Sequence, residues 1–328
     1  MSELRKDPVV NRWVITLDDK NFVPRQSSGL PGDLPGKDSS CPFCPGSESK
    51  TGHEIYRLKG KNGWQIRVIP NNRPYLRVEE KLKRKSKGIF DYMNGTGANE
   101  VFIETPEHNV DIDEMSGRDA ANIFKTYIER IKDLKNDNRL EYIMFFKNRG
   151  ERAGSSIIHA HSQLIALPII PEKVKDEMDS SAEYFKLKKR CVYCDVVDNE
   201  LSTGRRIVAE TAHFAVIAPF ASVSPFELWV IPKKHSCHFH DAEESALMDL
   251  GSVMKMCIRK INRALNRPAY NYMIHTGPLK GCDDEEYYHW HIEIFPRIKY
   301  TAGFEWGSGF HINPTLPEEA AEYLRGIK

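Results

Sequence analysis

No stretch of this 328-residue chain comes near the ~20 consecutive apolar residues of a membrane span; its most apolar run is Leu164–Ile170. Net charge is missing as well. Lys and Arg number 47 against 46 Asp and Glu, which leaves +1 at pH 7. Without a field of one sign, the chain as a whole has nothing to recruit nucleic acid or an anionic bilayer. Its first residues, Met1-Ser-Glu-Leu-Arg-Lys-Asp-Pro, lack the apolar core of a signal peptide. These absences predict a cytoplasmic protein with neither membrane nor nucleic acid as partner. The one local charge imbalance is Glu79–Lys87, where Lys81, Lys83, Arg84, Lys85 and Lys87 crowd together. No aromatic is interleaved, so the segment reads as a solvated loop.

An even cysteine count is lacking too: there are 7, which suits a disulfide framework poorly. Four form two close pairs, Cys41-Pro-Phe-Cys44 and Cys191-Val-Tyr-Cys194. In a reducing compartment such pairs read as metal knuckles or redox motifs. Cys237, Cys257 and Cys282 stand alone and read as small buried hydrophobes.

What is present comes twice. The first series runs from Cys41 and Cys44 into strand-like Trp64–Pro70. A short apolar strand from Val101 then closes on His108, and helical periodicity covers Asp111–Leu134. A buried strand follows at Tyr142–Phe146, then a loop containing Gly150 and Gly154, and last His159-Ala-His161-Ser-Gln163. The second series repeats that order. Cys191 and Cys194 precede strands at 206–210 and 214–219, and a strand from Glu227 ends on His235. A helix over Glu243–Ala264 comes next, then a strand from Tyr270, a loop over Gly277–Glu286, and His289-Trp-His291-Ile-Glu293. The offsets agree, 235 − 108 = 127 and 289 − 159 = 130. A length of about two domains, at ~150 residues each, fits this duplication. The expected fold is α+β: tandem modules over residues 1–172 and 173–328, each an antiparallel sheet with flanking helices.

Zinc prefers thiolate and imidazole in a tetrahedron, and structural sites fill all four positions with protein. Each series supplies one set: Cys41, Cys44, His108 and His159, then Cys191, Cys194, His235 and His289. The pairs are much too far apart for a zinc finger, whose second pair follows within about 12–20 residues. Two zinc ions per chain are expected, each pinning a loop to the strand that bears its last histidine.

Alternate residues of a strand share a face, so His159, His161 and Gln163 project together, as do His289, His291 and Glu293. With one imidazole on metal, its neighbour, of reference pKa ~6.5, stays largely neutral and nucleophilic at pH 7. A neutral nucleophile suits attack on phosphorus, because phosphate oxygens repel an anion. The Gln163 amide can donate to a phosphoryl oxygen as charge develops there. Gly154, Ser155 and Ser156 of the preceding loop can hold the other oxygens.

These residues carry a resemblance. His159-Ala-His161-Ser-Gln163, Cys41-Pro-Phe-Cys44, Arg67-Val-Ile-Pro-Asn, Pro106-Glu-His108-Asn and Asp7–Ile15 are similar to the galactose-1-phosphate uridylyltransferase family of the histidine-triad superfamily. The likeness spans nearly the whole chain. It implies a ping-pong transfer in which His161 attacks the α-phosphate of a sugar nucleotide and releases a hexose 1-phosphate. The nucleotide then passes from His161 to a second acceptor. It further implies that Gln163, Ser156 and Asn148 contact phosphoryl groups, that Asn71 and Asn72 lie at the nucleoside, and that Glu305 belongs to the substrate site. Family members are commonly homodimers. Ala160 stands where the galactose enzymes usually carry proline. The second Cys-x-x-Cys differs from bacterial galactose enzymes, whose second metal is held by a glutamate and three histidines. Together with Gly303–Pro314, these departures resemble the ADP-glucose phosphorylase branch, which uses inorganic phosphate as acceptor. Uridylyl transfer between UDP-glucose and a hexose 1-phosphate and adenylyl transfer from ADP-glucose therefore both stand. A simple nucleotide hydrolase and a non-catalytic zinc-binding interaction protein are the other classes. Gln163 argues against the hydrolase, where a third histidine would protonate the leaving group.

Overall fold

A computed structural model describes residues 2–20, 22, 38–61, 63–281 and 286–327. Its strands are β1 (Ser2–Lys6), β2 (Trp13–Leu17), β3 (Tyr56–Gly60), β4 (Gly63–Pro70), β5 (Arg84–Lys87), β6 (Phe90–Met93), β7 (Ala98–Ile103), β8 (Tyr142–Arg149), β9 (His161–Leu167), β10 (Ile207–Glu210), β11 (Phe214–Ile217), β12 (Leu228–Pro232), β13 (Tyr270–His275), β14 (His291–Pro296) and β15 (His311–Asn313). The helices are α1 (Gly117–Leu134), α2 (Glu172–Lys188), α3 (Val192–Thr203), α4 (Glu244–Ala264), α5 (Gly303–Ser308) and α6 (Pro317–Gly326).

Ten strands form one sheet in the order β10-β11-β12-β14-β13-β8-β9-β7-β4-β3, antiparallel throughout. From the β13–β8 junction the order reads alike in both directions: a strand that follows a helix, the His-x-His strand, then three more. The fold is thus α+β with a large antiparallel sheet. A small sheet of β1, β2 and β15 ties the two ends of the chain together, Ile15 opposite Ile312.

Strand alternation sorts the core. Phe102, Phe145, Leu164, Tyr272 and Ile294 point to one face and meet Ile123, Phe124 and Tyr127 of α1 and Met254, Ile258 and Ile261 of α4. The opposite parity, Ile69, Val101 and Ile103, packs with Cys41, Phe43 and Cys44, while Ile217, Trp229 and Ile231 pack with Cys191, Val192 and Tyr193. Helices α1 and α4 therefore cover one face, and the cysteine knuckles, the second with α3, sit on the other.

Several expectations shift. The first helix starts at Ser116, whose hydroxyl accepts from the Asp119 amide, and not at Asp111, whose buried carboxylate is taken by Lys147. Lys81–Lys87 is not simply a loop: Arg84–Lys87 is strand β5, paired with β6 so that Lys85 faces Tyr92 and Lys87 faces Phe90. Aromatics are interleaved with the lysines after all, across the hairpin. Cys257 is buried and free in α4 as expected. Cys237 is disulfide-bonded, contrary to the reading of a lone thiol. Cys282 lies outside the described residues, as does most of the Gly277–Glu286 loop's tip.

Helices α1 and α4 cross through Gly251. A Cβ there would lie 2.4 Å from the Ala121 nitrogen and 2.5 Å from the Gly117 oxygen, both backbone atoms that cannot swing away. Gly251→Ala would gain ~1 kcal/mol of helix propensity and incur ~1–3 kcal/mol of overpacking. Urea unfolding should show a net loss of stability of about 1 kcal/mol. A variant as stable as the parent would refute the close crossing.

Candidate active site

Four donor atoms converge at the start of β9. Cys44 Sγ lies 3.3 Å from His108 Nδ1 and 3.6 Å from His159 Nδ1, and Cys41 Sγ lies 3.6 Å from His159 Nδ1. With Zn–S of ~2.3 Å and Zn–N of ~2.05 Å, a tetrahedron has S···N edges of about 3.6 Å, so the cradle fits zinc. All four residues are buried. The His159 Nε2–H donates to the Thr105 carbonyl at 2.7 Å, which turns Nδ1 toward the thiols. Burial pushes the His159 imidazole down to about 4, so it is neutral and free to ligate.

The second set repeats this arrangement. Cys191 caps α3 and Cys194 lies in its first turn; Cys194 Sγ sits 3.4 Å from His235 Nδ1 and 3.6 Å from His289 Nδ1. Both expected sets are thus brought together, each with its donor atoms within 4.8 Å of one another.

A third group escaped the sequence reading: Glu177, His275 and His291 also meet within 4.8 Å. It largely satisfies itself. His275 Nδ1 is 2.8 Å from Glu177 and its Nε2 is 3.3 Å from Glu293, whose carboxylate also takes Lys173 at 2.7 Å. Burial alone would lower His275, but the Glu177 and Glu293 carboxylates outweigh it and raise the imidazole to about 9. A cation there would compete with two cations already built in.

His161 opens β9 with its ring 5.4 Å from Phe43, edge to face. Its Nδ1–H donates to the His159 carbonyl at 2.8 Å, in the tautomer that leaves the Nε2 lone pair free. Burial pushes this imidazole down to about 4, and Lys147 and Arg149 push in the same direction. His161 is therefore a neutral base at pH 7. Gln163 sits two residues on, on the same face, and its Oε1 accepts from Asn71 Nδ2 at 3.1 Å. That contact aims the Gln163 amide N–H groups away from Asn71 and leaves them as donors.

Asn148 is oriented from the other half of the chain. Its Oδ1 accepts from Asn271 Nδ2 at 2.8 Å, and the same Asn271 amide donates to the Ala153 carbonyl at 2.9 Å. The Asn148 NH2 is left to face the loop, where a Cβ at Gly154 (φ +90°) would lie 3.6 Å from its nitrogen. Lys147 and Arg149 on either side point the opposite way, onto Asp111 at 2.7 and 3.1 Å, and so anchor the strand that presents Asn148. Burial would raise the Asp111 carboxyl, but these two cations hold it well below the carboxylate range. Ser156 and Asn72 are exposed; Ser155 is buried and donates to the Ile157 carbonyl. Glu305 is committed elsewhere, accepting from the Ala302 and Ile312 amides at 2.9 and 3.0 Å and from Lys299 at 2.5 Å. No residue of the β9 site is among those partners. Asn271 and Phe43 are the contributors that the sequence reading missed.

The descriptions "Galactose-1-phosphate uridyl transferase, N-terminal domain" and "C-terminal domain" match residues 1–171 and 177–325. The chain belongs to the galactose-1-phosphate uridylyltransferase family. Within this family it is similar to an ADP-glucose phosphorylase of Arabidopsis thaliana, 38% identical over 330 residues, which are 99% of this chain and 93% of the relative. A crystal structure of an ADP-glucose phosphorylase from that plant, with ADP-glucose bound, superposes with a TM-score of 0.84 at 36% identity, covering 100% of this chain and 99% of the other. A galactose-1-phosphate uridylyltransferase of Thermotoga maritima is 27% identical over 99% of this chain and 98% of its own. Among the described residues no helix is long and apolar enough to cross a membrane.

Cys44 faces two imidazoles, so its loss should empty the first cradle and spare the second. Metal analysis of Cys44→Ala should find about half the metal of the parent protein. Undiminished metal content would show that the cradle is not a metal site.

Proposed function

We propose that this protein is a nucleotidyltransferase that moves a nucleoside monophosphate from a sugar nucleotide to a phosphate-bearing acceptor through a covalent nucleotidyl-His161. The observation that carries the reading is the state of His161: neutral, with Nδ1–H held by a carbonyl and Nε2 free, beside an amide already oriented as a donor. The Nε2 lone pair attacks the α-phosphorus as the bond to the bridging oxygen breaks, and hexose 1-phosphate leaves with that electron pair. An oxygen of the acceptor phosphate then attacks the same phosphorus, and the P–N bond returns its pair to His161. Splitting one displacement into two lets a single nucleophile serve both. Gln163 and Asn148 donate to the equatorial oxygens, and the loop from Gly154 to Ser156 surrounds them. Asn71 and Asn72 are our candidates for the nucleoside.

Two zinc ions per chain belong to this reading, as structural ions. When bound, zinc would stiffen the loops at Cys41–Cys44 and Cys191–Cys194 against β9 and β14. The working form is read as a cytoplasmic homodimer of two histidine-triad-like modules, residues 1–172 and 173–328. The greater identity to an ADP-glucose phosphorylase, 38% against 27%, favours ADP-glucose as donor and inorganic phosphate as acceptor. UDP-glucose with a hexose 1-phosphate is the second reading, supported by the galactose enzymes of the family.

Incubating the protein with ADP-glucose and with UDP-glucose, each against phosphate, sulfate and hexose 1-phosphates, should release hexose 1-phosphate from ADP-glucose with phosphate. Release from UDP-glucose alone selects the second reading, and no release from either sinks the proposal.

His161→Asn should fold and retain metal yet acquire no nucleotide label. Gln163→Ala should slow both half-reactions by ~10²–10³, the usual effect of one lost oxyanion donor, with the label still formed. Label on His291, or near-normal transfer by His161→Asn, would overturn the mechanism.

A further inference from the structure

The loop between β8 and β9 is a small block that has to be aimed. Its one turn, Glu151–Ala153, lies between Gly150 at φ +83° and Gly154 at φ +90°, both in the left-handed region that favours glycine. Three amides of the loop are used internally. Ala153 and Ser155 donate to the Gly150 carbonyl at 3.0 and 3.1 Å, and Gly154 donates to the Glu151 carbonyl at 2.9 Å. The turn thus keeps its own shape, while a glycine at each end leaves its direction to outside contacts.

Those contacts come from the second half of the chain. Asn271 of β13 donates to the Ala153 carbonyl at 2.9 Å. Tyr300, beyond the end of β14, takes the side chain of Arg152. The Arg152 Nη2 donates to the Tyr300 hydroxyl at 2.7 Å, and the guanidinium carbon lies 4.7 Å from the centre of the same ring. One tyrosine gives the cation both an acceptor and a π face. Strand register explains the meeting: Tyr270 pairs with Arg149, the last residue of β8, and with Pro296, the last of β14. Both chains leave the sheet at the same end. A swing of the turn is felt where the phosphoryl group would sit, because a Cβ at Gly154 would lie 3.6 Å from the Asn148 amide nitrogen and Ser156 follows two residues on. Building on the nucleotidyltransferase reading, we propose that Arg152 is a positioning residue: latched to Tyr300, it holds the loop where Asn148 and Ser156 meet the phosphoryl group.

A double-mutant cycle, read in single turnovers, tests the latch, since such rate constants do not depend on the fraction of protein that is folded. The probe is ADP-glucose or UDP-glucose, whichever labels the parent protein. Arg152→Ala and Tyr300→Ala should each slow His161 labelling about tenfold, with half-saturation by the sugar nucleotide changed by less than about twofold. The double variant should be no slower than either single one. Tyr300→Phe keeps the ring and should lose only about threefold. Arg152→Lys, which keeps the charge without the planar fork, should recover part of the rate lost in Arg152→Ala. Hydrogen exchange of the amides at 153–155 should quicken about tenfold in both alanine variants. A hundredfold loss in the double variant would mean independent effects and overturns the latch, as does exchange at the parent rate. Labelling at the parent rate in both alanine variants leaves the reaction standing and removes Arg152 from it. If neither sugar nucleotide labels the parent protein, the reaction falls and with it this role of Arg152; exchange that still quickens then shows that the contact anchors the loop for another purpose.

Discussion

The pairing of β8 with β13 is the constraint on which the rest of the molecule depends. It joins two five-strand arrays into one sheet, and it does so beside the chemistry. Asn271 lies opposite Asn148 in that ladder and orients the Asn148 amide. Tyr270, one residue earlier, donates to Asp111 at 2.8 Å, the carboxylate that holds Lys147 and Arg149. Tyr272, one later, meets Tyr127 at 2.9 Å on the helix face. Three successive residues of one half thus hold β8, the segment before α1 and α1 itself in the other. A half folded alone would leave Asp111 without one donor and Asn148 without its anchor, at a cost of roughly 1–3 kcal/mol for each buried group left unsatisfied.

Alternation along β8 and β9 keeps structure and chemistry apart. Lys147, Arg149 and Ser162 point to the helix face, where they meet Asp111, Asp111 again and Tyr127. Asn148, His161 and Gln163 point to the other face, under Cys41–Cys44. A register slip of one residue would exchange the two sets and bury His161 among aromatic side chains. The Cys/His cluster at His159, just ahead of β9, and the ion cluster at Lys147 flank that register from opposite sides of the sheet.

Much of this was legible before any coordinates. Strands β4, β7, β8, β11, β12 and β13 and helices α1 and α4 announce themselves by period, and both Cys/His clusters follow from the doubled Cys-x-x-Cys and His order. What stayed hidden has physical reasons. The β5–β6 hairpin is exposed on both faces, so no burial imprints a period-two pattern on it. Helices α2 and α3 have only shallow buried faces and read as neither period. Glu177 joins His275 across 98 residues of sequence, a proximity that only the closed sheet creates. Asn271 looked like any polar residue of a strand, because its role is set by the strand beside it.

The Glu293 carboxylate, which occupies the place of Gln163, has a consequence for how the two halves can change. It is held by Lys173 and His275 at once, and those two are held by little else that bears negative charge, apart from Glu177. Exchanging Glu293 for glutamine would leave Lys173 without its carboxylate and His275 with Glu177 alone. A neutral amide at this place therefore disturbs a charge balance shared by Lys173, His275 and Glu177. The two strands hold matching places in the sheet, but this cluster binds the second into a charge network, where Gln163 in the first has only the neutral Asn71 amide.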